Sequence, residues 1–306
     1  MNGIISRAFT QGRVDDGYAH THVPMCHPEF LDMYHNQCPQ GCFVIEEGSH
    51  IRGAVFCHVW GKTGWLGPLV LVPERHHLGL GKYLTNHAVN FLKEAGCVTI
   101  GLETNPRSTR NIGFYGKLGF APTVLCVDMI KPVPAIMPSA EKPPHKLIRY
   151  SELSKRGKSD FITHANHLTH IVKPTVDYES AIKAIDDARQ GESILYILKE
   201  TPIGLAVLQT EPSLVEEQNA FLRVITFLAH PKTPDSYIQF FLYQFLEFAK
   251  EQSLDRILIR VPMYSNRVFK ILLLHNYRVV NSDIRFVLEN YGDNPNTMAF
   301  HVNRWV

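Results

Sequence analysis

Hydrophobic and polar positions in the first half of the chain change period several times, and these changes delimit strands and helices. Two runs rich in β-branched and aromatic residues, 42–48 and 51–60, are separated by two residues, which predicts a hairpin. A third apolar run covers 65–72 and stops at a proline. The elements predicted after it are a helix over 79–95, a strand over 97–104, a helix over 108–118 and a strand over 122–130. This order predicts a mixed α/β domain.

The second half of the chain repeats the same order of elements. The predicted elements are a hairpin over 191–210, a strand over 219–231, a helix over 235–252, a strand over 255–261, a helix over 265–275 and a strand over 277–288. Between the halves, the stretch KPVPAIMPSAEKPPHK contains five prolines, which predict a semi-rigid linker. We therefore expect a tandem repeat with one domain at 1–131, a linker at 132–146 and a second domain at 147–306.

Composition narrows the class of partner. The 306 residues are 45% hydrophobic and carry a formal net charge of +2, a balance that argues against a nucleic-acid-binding surface. No apolar run approaches the ~20 residues that span a bilayer, and the first residues lack the apolar segment of a signal peptide. We expect a cytoplasmic protein with no nucleic-acid or membrane partner.

The six cysteines all lie in the first half of the chain. A chain of this size without a secretion signal does not need disulfides, so these residues are expected to be reduced thiols. A zinc site built from Cys26, His27, His35, Cys38 and Cys42 is an alternative, but their spacing matches no common zinc pattern. No metal site is expected.

A glycine-containing turn stands where the strand over 65–72 ends and the long helix begins. Gly79 and Gly81 let the backbone approach a ligand closely, and the helix N-terminus adds main-chain donors and a positive dipole. Such a turn suits a pyrophosphate, and Lys82 can add a charge at its rim. For two glycines alone, a tight turn with no ligand is the alternative interpretation.

Two nucleotide-binding patterns do not fit this turn. A Walker A loop needs a hydroxyl residue after the lysine, and Tyr83 stands there. A Rossmann fingerprint needs a third glycine or alanine, and Leu84 stands there.

Two segments in the first half resemble motifs of the GNAT acyltransferase superfamily. The segment LVPERHHLGLG at 71–81 resembles the family's first motif, in which Val-x-Pro precedes a glycine turn. The segment YGKLGF at 115–120 resembles its second motif, which ends in Tyr-x-x-x-Gly-Phe. The resemblance covers about residues 40–130, and His76 departs from it where the family prefers Arg or Gln. It implies two tandem GNAT-like domains, each a mixed, mostly antiparallel sheet flanked by helices.

The resemblance also implies a site for acetyl-CoA, or another acyl-coenzyme A, in the first domain. Main-chain N–H groups of 77–82 would surround the pyrophosphate, and the strand at 70–72 would pair with the pantetheine arm. Asn111 and Tyr115 would lie near the thioester. The implied cofactor-binding residues are Val70, Leu71, Val72, His76, His77, Leu78, Gly79, Leu80, Gly81, Lys82 and Asn111.

Acyl transfer from a thioester needs a neutral amine, a donor for the carbonyl oxygen and a proton for the departing thiolate. A backbone N–H of Leu71 or Val72 can serve the carbonyl oxygen. Tyr115 can supply the proton, because an ordinary phenol pKa of ~10 lies above the ~8.5 of a thiol. A core aromatic on an amphipathic helix is the alternative interpretation of Tyr115.

Glu103 is a candidate general base because it ends the strand that follows the long helix. A solvated carboxylate at a strand end is the alternative interpretation. His58, His76 and His77 are further candidates by their ordinary pKa alone.

The second half lacks the residues that carry the proposed chemistry. Its corresponding turn, 230–238, contains no glycine and has Pro234, and Leu272 falls where Tyr115 does. We expect this half to be a degenerate copy that binds no coenzyme A and helps to form the acceptor pocket.

The sequence therefore predicts a CoA-dependent N-acyltransferase that modifies a primary amine of a small molecule or peptide. A non-catalytic CoA-binding or regulatory protein with the same fold is the alternative. The sequence predicts neither the acceptor nor the oligomeric state.

Overall fold

A computed structural model describes residues 1–26, 28–137, 146–210, 221–292 and 299–304. In the first half, the elements are α1 (Asn2–Asp15), α2 (Pro28–Gln37), β1 (Cys42–Glu47), β2 (His50–Trp60), β3 (Thr63–Leu71), α3 (Leu80–Glu94), β4 (Thr99–Thr104), α4 (Thr109–Lys117) and β5 (Phe120–Pro132). In the second half, they are β6 (Lys146–Arg149), α5 (Lys155–Val172), α6 (Glu179–Ala188), β7 (Gly191–Leu198), β8 (Thr201–Gln209), β9 (Phe221–Ala229), α7 (Asp235–Glu251), β10 (Arg256–Pro262), α8 (Asn266–Leu274), β11 (Arg278–Leu288) and β12 (Phe300–Asn303).

The predicted strands and helices of both halves are confirmed, with ends that differ by a few residues. Helix α3 follows the predicted spacing, since its buried residues Leu84, Ala88 and Leu92 recur every four positions on one face. The sequence does not predict α5, α6, β6 or β12. The mixed α/β class with a mostly antiparallel sheet flanked by helices is confirmed.

The two halves share one sheet, which the sequence does not predict. The strand order is β1-β2-β3-β4-β11-β5-β10-β9-β8-β7-β6, and β12 pairs with β9 off this path. Strand β11 of the second half lies between β4 and β5, and β5 of the first half pairs with β10. Each half therefore receives the last long strand of the other. The domain boundaries at 131 and 147 stay a prediction, and residues 138–145 of the predicted linker lie outside the described residues.

Apolar packing also joins the halves. Trp60 and Trp65 of the first half are buried in a cluster with α5 and α6, which includes Phe161, Leu168 and Ile182. Burying large aromatic side chains is a major stabilising contribution, so this cluster holds the β2–β3 hairpin against the second half. Within the described ranges, no helix is long and apolar enough to cross a membrane.

Candidate active site

Strands β3 and β4 diverge part of the way along their length. They pair in parallel from Thr63–Thr99 to Leu66–Leu102, and no further pair joins them. The pairing of β3 with β2 shifts register between Val55 and Cys57, which is a β-bulge at the same level. Because a bulge bends the strand, the second part of β3 turns away from β4. Among the described strands, none pairs with the edge of β3 that faces this gap.

A groove of about 350 Å³ lies beside this open edge. The predicted cofactor residues that line it are Val70, Leu71, His76, His77, Gly79, Leu80, Gly81, Lys82 and Asn111, and Tyr115 lines it with them. Val72 and Leu78 do not line it, because Val72 is buried in the core and Leu78 is 64% exposed to solvent. The groove brings the strand edge, the glycine turn and α4 together.

Sequence reasoning missed five lining residues: Ala8, Leu69, Arg75, Arg110 and Phe114. Phe114 lies three positions after Asn111 and four after Arg110, so helical spacing could have placed these residues on one side of α4. Ala8 belongs to α1, for which the sequence offers no motif.

The glycine turn has the geometry of an anion site. Gly79 adopts a left-handed conformation with φ 80°, which favours glycine. The first helical hydrogen bond of α3 is donated by Tyr83 N–H to the Gly79 carbonyl at 3.0 Å. The N–H groups of Leu80, Gly81 and Lys82 therefore have no acceptor within the helix. These donors and the helix dipole favour an anion at this end of the groove.

Gly81 faces α4 across the groove. A Cβ at this position would lie 3.3 Å from Cζ of Phe114, tighter than ordinary van der Waals contact. A larger side chain would therefore enter the groove or displace the Phe114 ring.

Charged side chains surround the glycine turn. Arg75 donates to Glu47, and Arg110 donates to Asp15 at 2.6 Å. Burial and the nearby Arg110 lower the pKa of His76, so its imidazole is neutral at pH 7. The backbone of Leu71, where β3 ends, opposes this lowering of the pKa of His76 but does not outweigh it.

Asn111 and Tyr115 face the groove from α4. Asn111 donates to Thr104 Oγ1 at 3.2 Å, which ties α4 to the end of β4. The Tyr115 ring packs edge-on against Phe120 with centroids 6.0 Å apart. Burial raises the pKa of Tyr115 to about 12, so its hydroxyl stays protonated and can act as a proton donor.

The structure does not place Glu103 in the groove. Its carboxylate accepts hydrogen bonds from Arg285 at 2.7 and 3.0 Å and from Arg260, and its side chain is only 2% exposed. Burial alone would raise the pKa of Glu103, but Arg285 and Arg260 outweigh it and hold the pKa below its ordinary value. A buried carboxylate with both oxygens engaged by guanidinium groups is a structural ion pair. We therefore do not retain Glu103 as the general base.

Two further sequence candidates are separated by the structure. His77 lines the groove and has a φ of 65°, whereas His58 does not line it and is buried against Trp60.

The donor to the carbonyl oxygen can also be chosen between Leu71 and Val72. Val72 is excluded, because its N–H donates to the Arg52 carbonyl at 2.8 Å. Successive N–H groups of a strand point to opposite edges, so the Leu71 N–H points to the gap.

In the second half, the corresponding gap is filled. Strands β9 and β10 pair in parallel from Phe221–Arg256 to Val224–Ile259. Beyond these pairs, β12 pairs with the same edge of β9, from Thr226–Asn303 to Ala229–Phe300, and lies against β10.

The turn before α7 also differs from the glycine turn. Pro234 precedes the helix, and Arg267 donates to the Thr233 carbonyl at 2.9 Å and to Asp235 at 2.6 Å. Val268 and Leu272, which correspond to Asn111 and Tyr115, are fully buried. An opening of about 290 Å³ does lie at this turn, between residues 230–237 and the β7–β8 hairpin, but neither Val268 nor Leu272 of α8 lines it.

The cysteines are free thiols, and burial raises the pKa of Cys42 to about 11. Within the described residues, no group of three or more His, Cys, Asp or Glu side chains is arranged to hold a metal ion. His27, one member of the alternative zinc set, lies outside the described residues.

Comparison with known proteins relates the first half of the chain to a family. Residues 12–120 match the acetyltransferase (GNAT) family. MAK3, an N-alpha-acetyltransferase of Arabidopsis thaliana, is 27% identical over 86 residues, which are 27% of this chain and 45% of that protein. The chain therefore spans less than half the length of this curated relative.

Two solved structures share the fold over nearly the whole chain. A GCN5-related N-acetyltransferase from Sphaerobacter thermophilus superposes with a TM-score of 0.61 at 12% identity, covering 96% of this chain and 94% of that chain. A tandem GNAT protein from the clavulanic acid biosynthesis pathway superposes with a TM-score of 0.58 at 10% identity, covering 96% and 95%. Residues 12–120 thus resemble the GNAT family, and the chain as a whole has the fold of these two acetyltransferase structures, one of which is a tandem GNAT protein.

Proposed function

We propose that the chain is an N-acyltransferase that transfers an acetyl group from acetyl-CoA to a primary amine of a small molecule or peptide. The observation that carries this proposal is the open edge of β3. It faces a groove that has the N-terminus of α3 at one end and Tyr115 on its wall. The family match and the similarity to an N-alpha-acetyltransferase support an acetyl donor and an amine acceptor.

Main-chain groups of the first half would hold the cofactor. The N–H groups of Leu80, Gly81 and Lys82 suit the pyrophosphate, because they lack helical acceptors and stand at the positive end of α3. The unpaired edge of β3 at Leu69–Leu71 suits the amide groups of the pantetheine arm. Bound in this way, acetyl-CoA would supply the acetyl group as a thioester.

Two groups of the protein would assist the transfer. The Leu71 N–H, at the open edge, would donate to the thioester carbonyl oxygen as negative charge develops there. The Tyr115 hydroxyl would give its proton to the departing thiolate, because a phenol with a pKa of about 12 stays protonated until the thiolate forms. No carboxylate lines the described part of the groove. We therefore expect the amine to react from its neutral form, so kcat/KM should rise with pH toward the pKa of the amine.

Calorimetric titration with acetyl-CoA, followed by a turnover assay with a panel of primary amines, tests this proposal. One bound acetyl-CoA per chain and release of free thiol with at least one amine are expected. Binding without turnover across the panel would favour the non-catalytic CoA-binding alternative. The absence of binding would contradict the proposed site itself.

A further inference from the structure

A second, smaller cavity lies between the two halves. It has a volume of about 30 Å³ and is enclosed by α2 of the first half and α6 of the second. His58 and Trp60 of β2 line one side, and Arg304, which follows β12, lines another. None of its lining residues belongs to the acyl-CoA groove.

His58 brings unused hydrogen-bonding groups into this cavity. Its side chain is only 3% exposed, and its ring stacks on Trp60 with centroids 5.2 Å apart. Among the described residues, neither ring nitrogen has a hydrogen-bond partner. Burial lowers the pKa of His58 to about 3, so the imidazole is neutral and offers one donor and one acceptor. Buried polar atoms are nearly always paired in folded proteins, so this pair of nitrogens calls for a partner.

Arg304 makes the cavity attractive to an anion. Its Nη1 has no hydrogen-bond partner among the described residues. The closest ion pair is with Asp128 Oδ1 at 3.7 Å, longer than a hydrogen bond. Burial and the neighbouring Arg260 lower the pKa of Arg304, because both disfavour its positive charge. An anion beside Arg304 would offset this cost and would itself be stabilised by the guanidinium group.

A larger opening of about 680 Å³ lies beside the cavity, between α2 and α6. Gln37 lines both spaces, and neighbouring residues of α6 line one or the other. The carboxylates of Asp32 and Asp187 line the larger opening. Lys183 also lines it, but its ammonium group is paired with Glu179. The opening therefore favours a cationic or polar group.

We propose that this cavity binds the carboxylate group of a small molecule, whose amino-bearing remainder occupies the opening between α2 and α6. A volume of 30 Å³ has room for about two water-sized atoms, which is the space that two carboxylate oxygens need. One oxygen would accept from Arg304 and the other from the His58 N–H. The ligand would bind across the two halves, because α2 and α6 belong to different halves.

A nuclear magnetic resonance titration tests the proposal on the full chain without acetyl-CoA, so its outcome does not depend on the acyl-transfer function. The probes are acetate, 5-aminopentanoate and pentylamine, and the signals are the ring nitrogens of His58. We expect both carboxylates to shift these signals, 5-aminopentanoate to bind more tightly than acetate, and pentylamine to have no effect. A cavity that holds only water would give no shift with any probe, which would overturn the proposal.

Two variants and a matched control sharpen the test. His58→Phe keeps the stacked ring but removes the nitrogens, and its affinity for both carboxylates, followed by calorimetry, should fall about tenfold or more. Asp187→Asn, at an exposed position, should weaken 5-aminopentanoate by about two- to fivefold and leave acetate unchanged. His301→Phe is the control, because His301 is equally buried but already bonds Tyr178 at 2.9 Å, outside the cavity. Equal effects of His58→Phe and His301→Phe would contradict the proposal.

Discussion

The sheet has a gap beside β3 in the first half and a corresponding gap beside β9 in the second half, but a further strand fills only the second gap. In each half a parallel pair of strands holds for four residues on each strand and then diverges. In the first half, the edge of β3 stays open to the groove. In the second half, β12 pairs with the corresponding edge of β9. A strand of the same chain thus makes the main-chain hydrogen bonds that we propose for the pantetheine arm.

The side chains around the two gaps differ in the same direction. Asn111 and Tyr115 give polar groups to the open gap, whereas Val268 and Leu272 are fully buried around the filled one. The same divergence of strands can therefore hold a ligand or add to the core. The choice depends on whether another strand covers the open edge.

Phe300→Ala is expected to have the largest effect, because it weakens the strand that fills the second gap. Phe300 is 1% exposed and packs on Phe227 with ring centroids 5.0 Å apart. Loss of a buried phenylalanine should lower the free energy of unfolding by about 3–5 kcal/mol, measured by urea denaturation. Acetyl-CoA should still bind once per chain, because the turn before α7 has no glycine. A second bound acetyl-CoA would contradict the proposal that only the first half can hold the cofactor.

The control for this variant is Phe9→Ala. Phe9 is 43% exposed, so the change should cost no more than about 0.5 kcal/mol.

The next effect concerns the glycine turn itself. Gly81→Asp adds a side chain that meets Phe114 and a negative charge where the pyrophosphate is proposed to bind. The affinity for acetyl-CoA, measured by calorimetry, should fall at least about a hundredfold, or about 2.7 kcal/mol. Ser236→Asp is the matched control, since Ser236 is exposed at the corresponding position of α7. A similar loss of acetyl-CoA affinity in both variants would contradict the proposal that the cofactor binds at the glycine turn of the first half and not at the turn before α7.

Tyr115→Phe removes the proposed proton donor and should lower kcat about a hundredfold. Acetyl-CoA affinity should stay within about twofold, since the ring and its packing remain. Because burial raises the pKa of Tyr115 to about 12, its deprotonation should not reduce the wild-type kcat between about pH 8 and 10. Tyr83→Phe, at a position 57% exposed on α3, is the control. An unchanged kcat in Tyr115→Phe would leave Tyr115 as a packing residue.

The order of strands and helices could be predicted from the sequence, because the hydrophobic residues of each element recur with the period of a helix or of a strand. The helix that contains Leu84, Ala88 and Leu92 is one example, and the β1–β2 hairpin is another. The glycine turn was accessible for a similar reason, since its chemistry lies within a few consecutive residues. Local sequence patterns thus predicted most of the residues that line the groove.

The joined sheet and the ion pairs of Glu103 could not be predicted from the sequence, because both depend on residues that are far apart in the chain. The partners of Glu103 are Arg260 and Arg285, which lie 157 and 182 positions later in the chain. No local pattern states that β11 will enter the sheet beside β4. Strand β12 has only four residues, too few to establish a period, and it is held by an edge that another element leaves open.

The smallest expected effect is that of His76→Arg, which tests how far the open gap depends on side-chain charge. Burial and Arg110 lower the pKa of His76, so wild-type His76 is neutral at pH 8 and the variant adds a cation. Calorimetry at this pH should show acetyl-CoA binding tightened by no more than about fivefold. In the wild type, affinity should rise as the pH falls through the lowered pKa, because the protonated ring favours phosphate. The variant should lack this rise, and a rise of equal size in both proteins would mean that another group responds to pH.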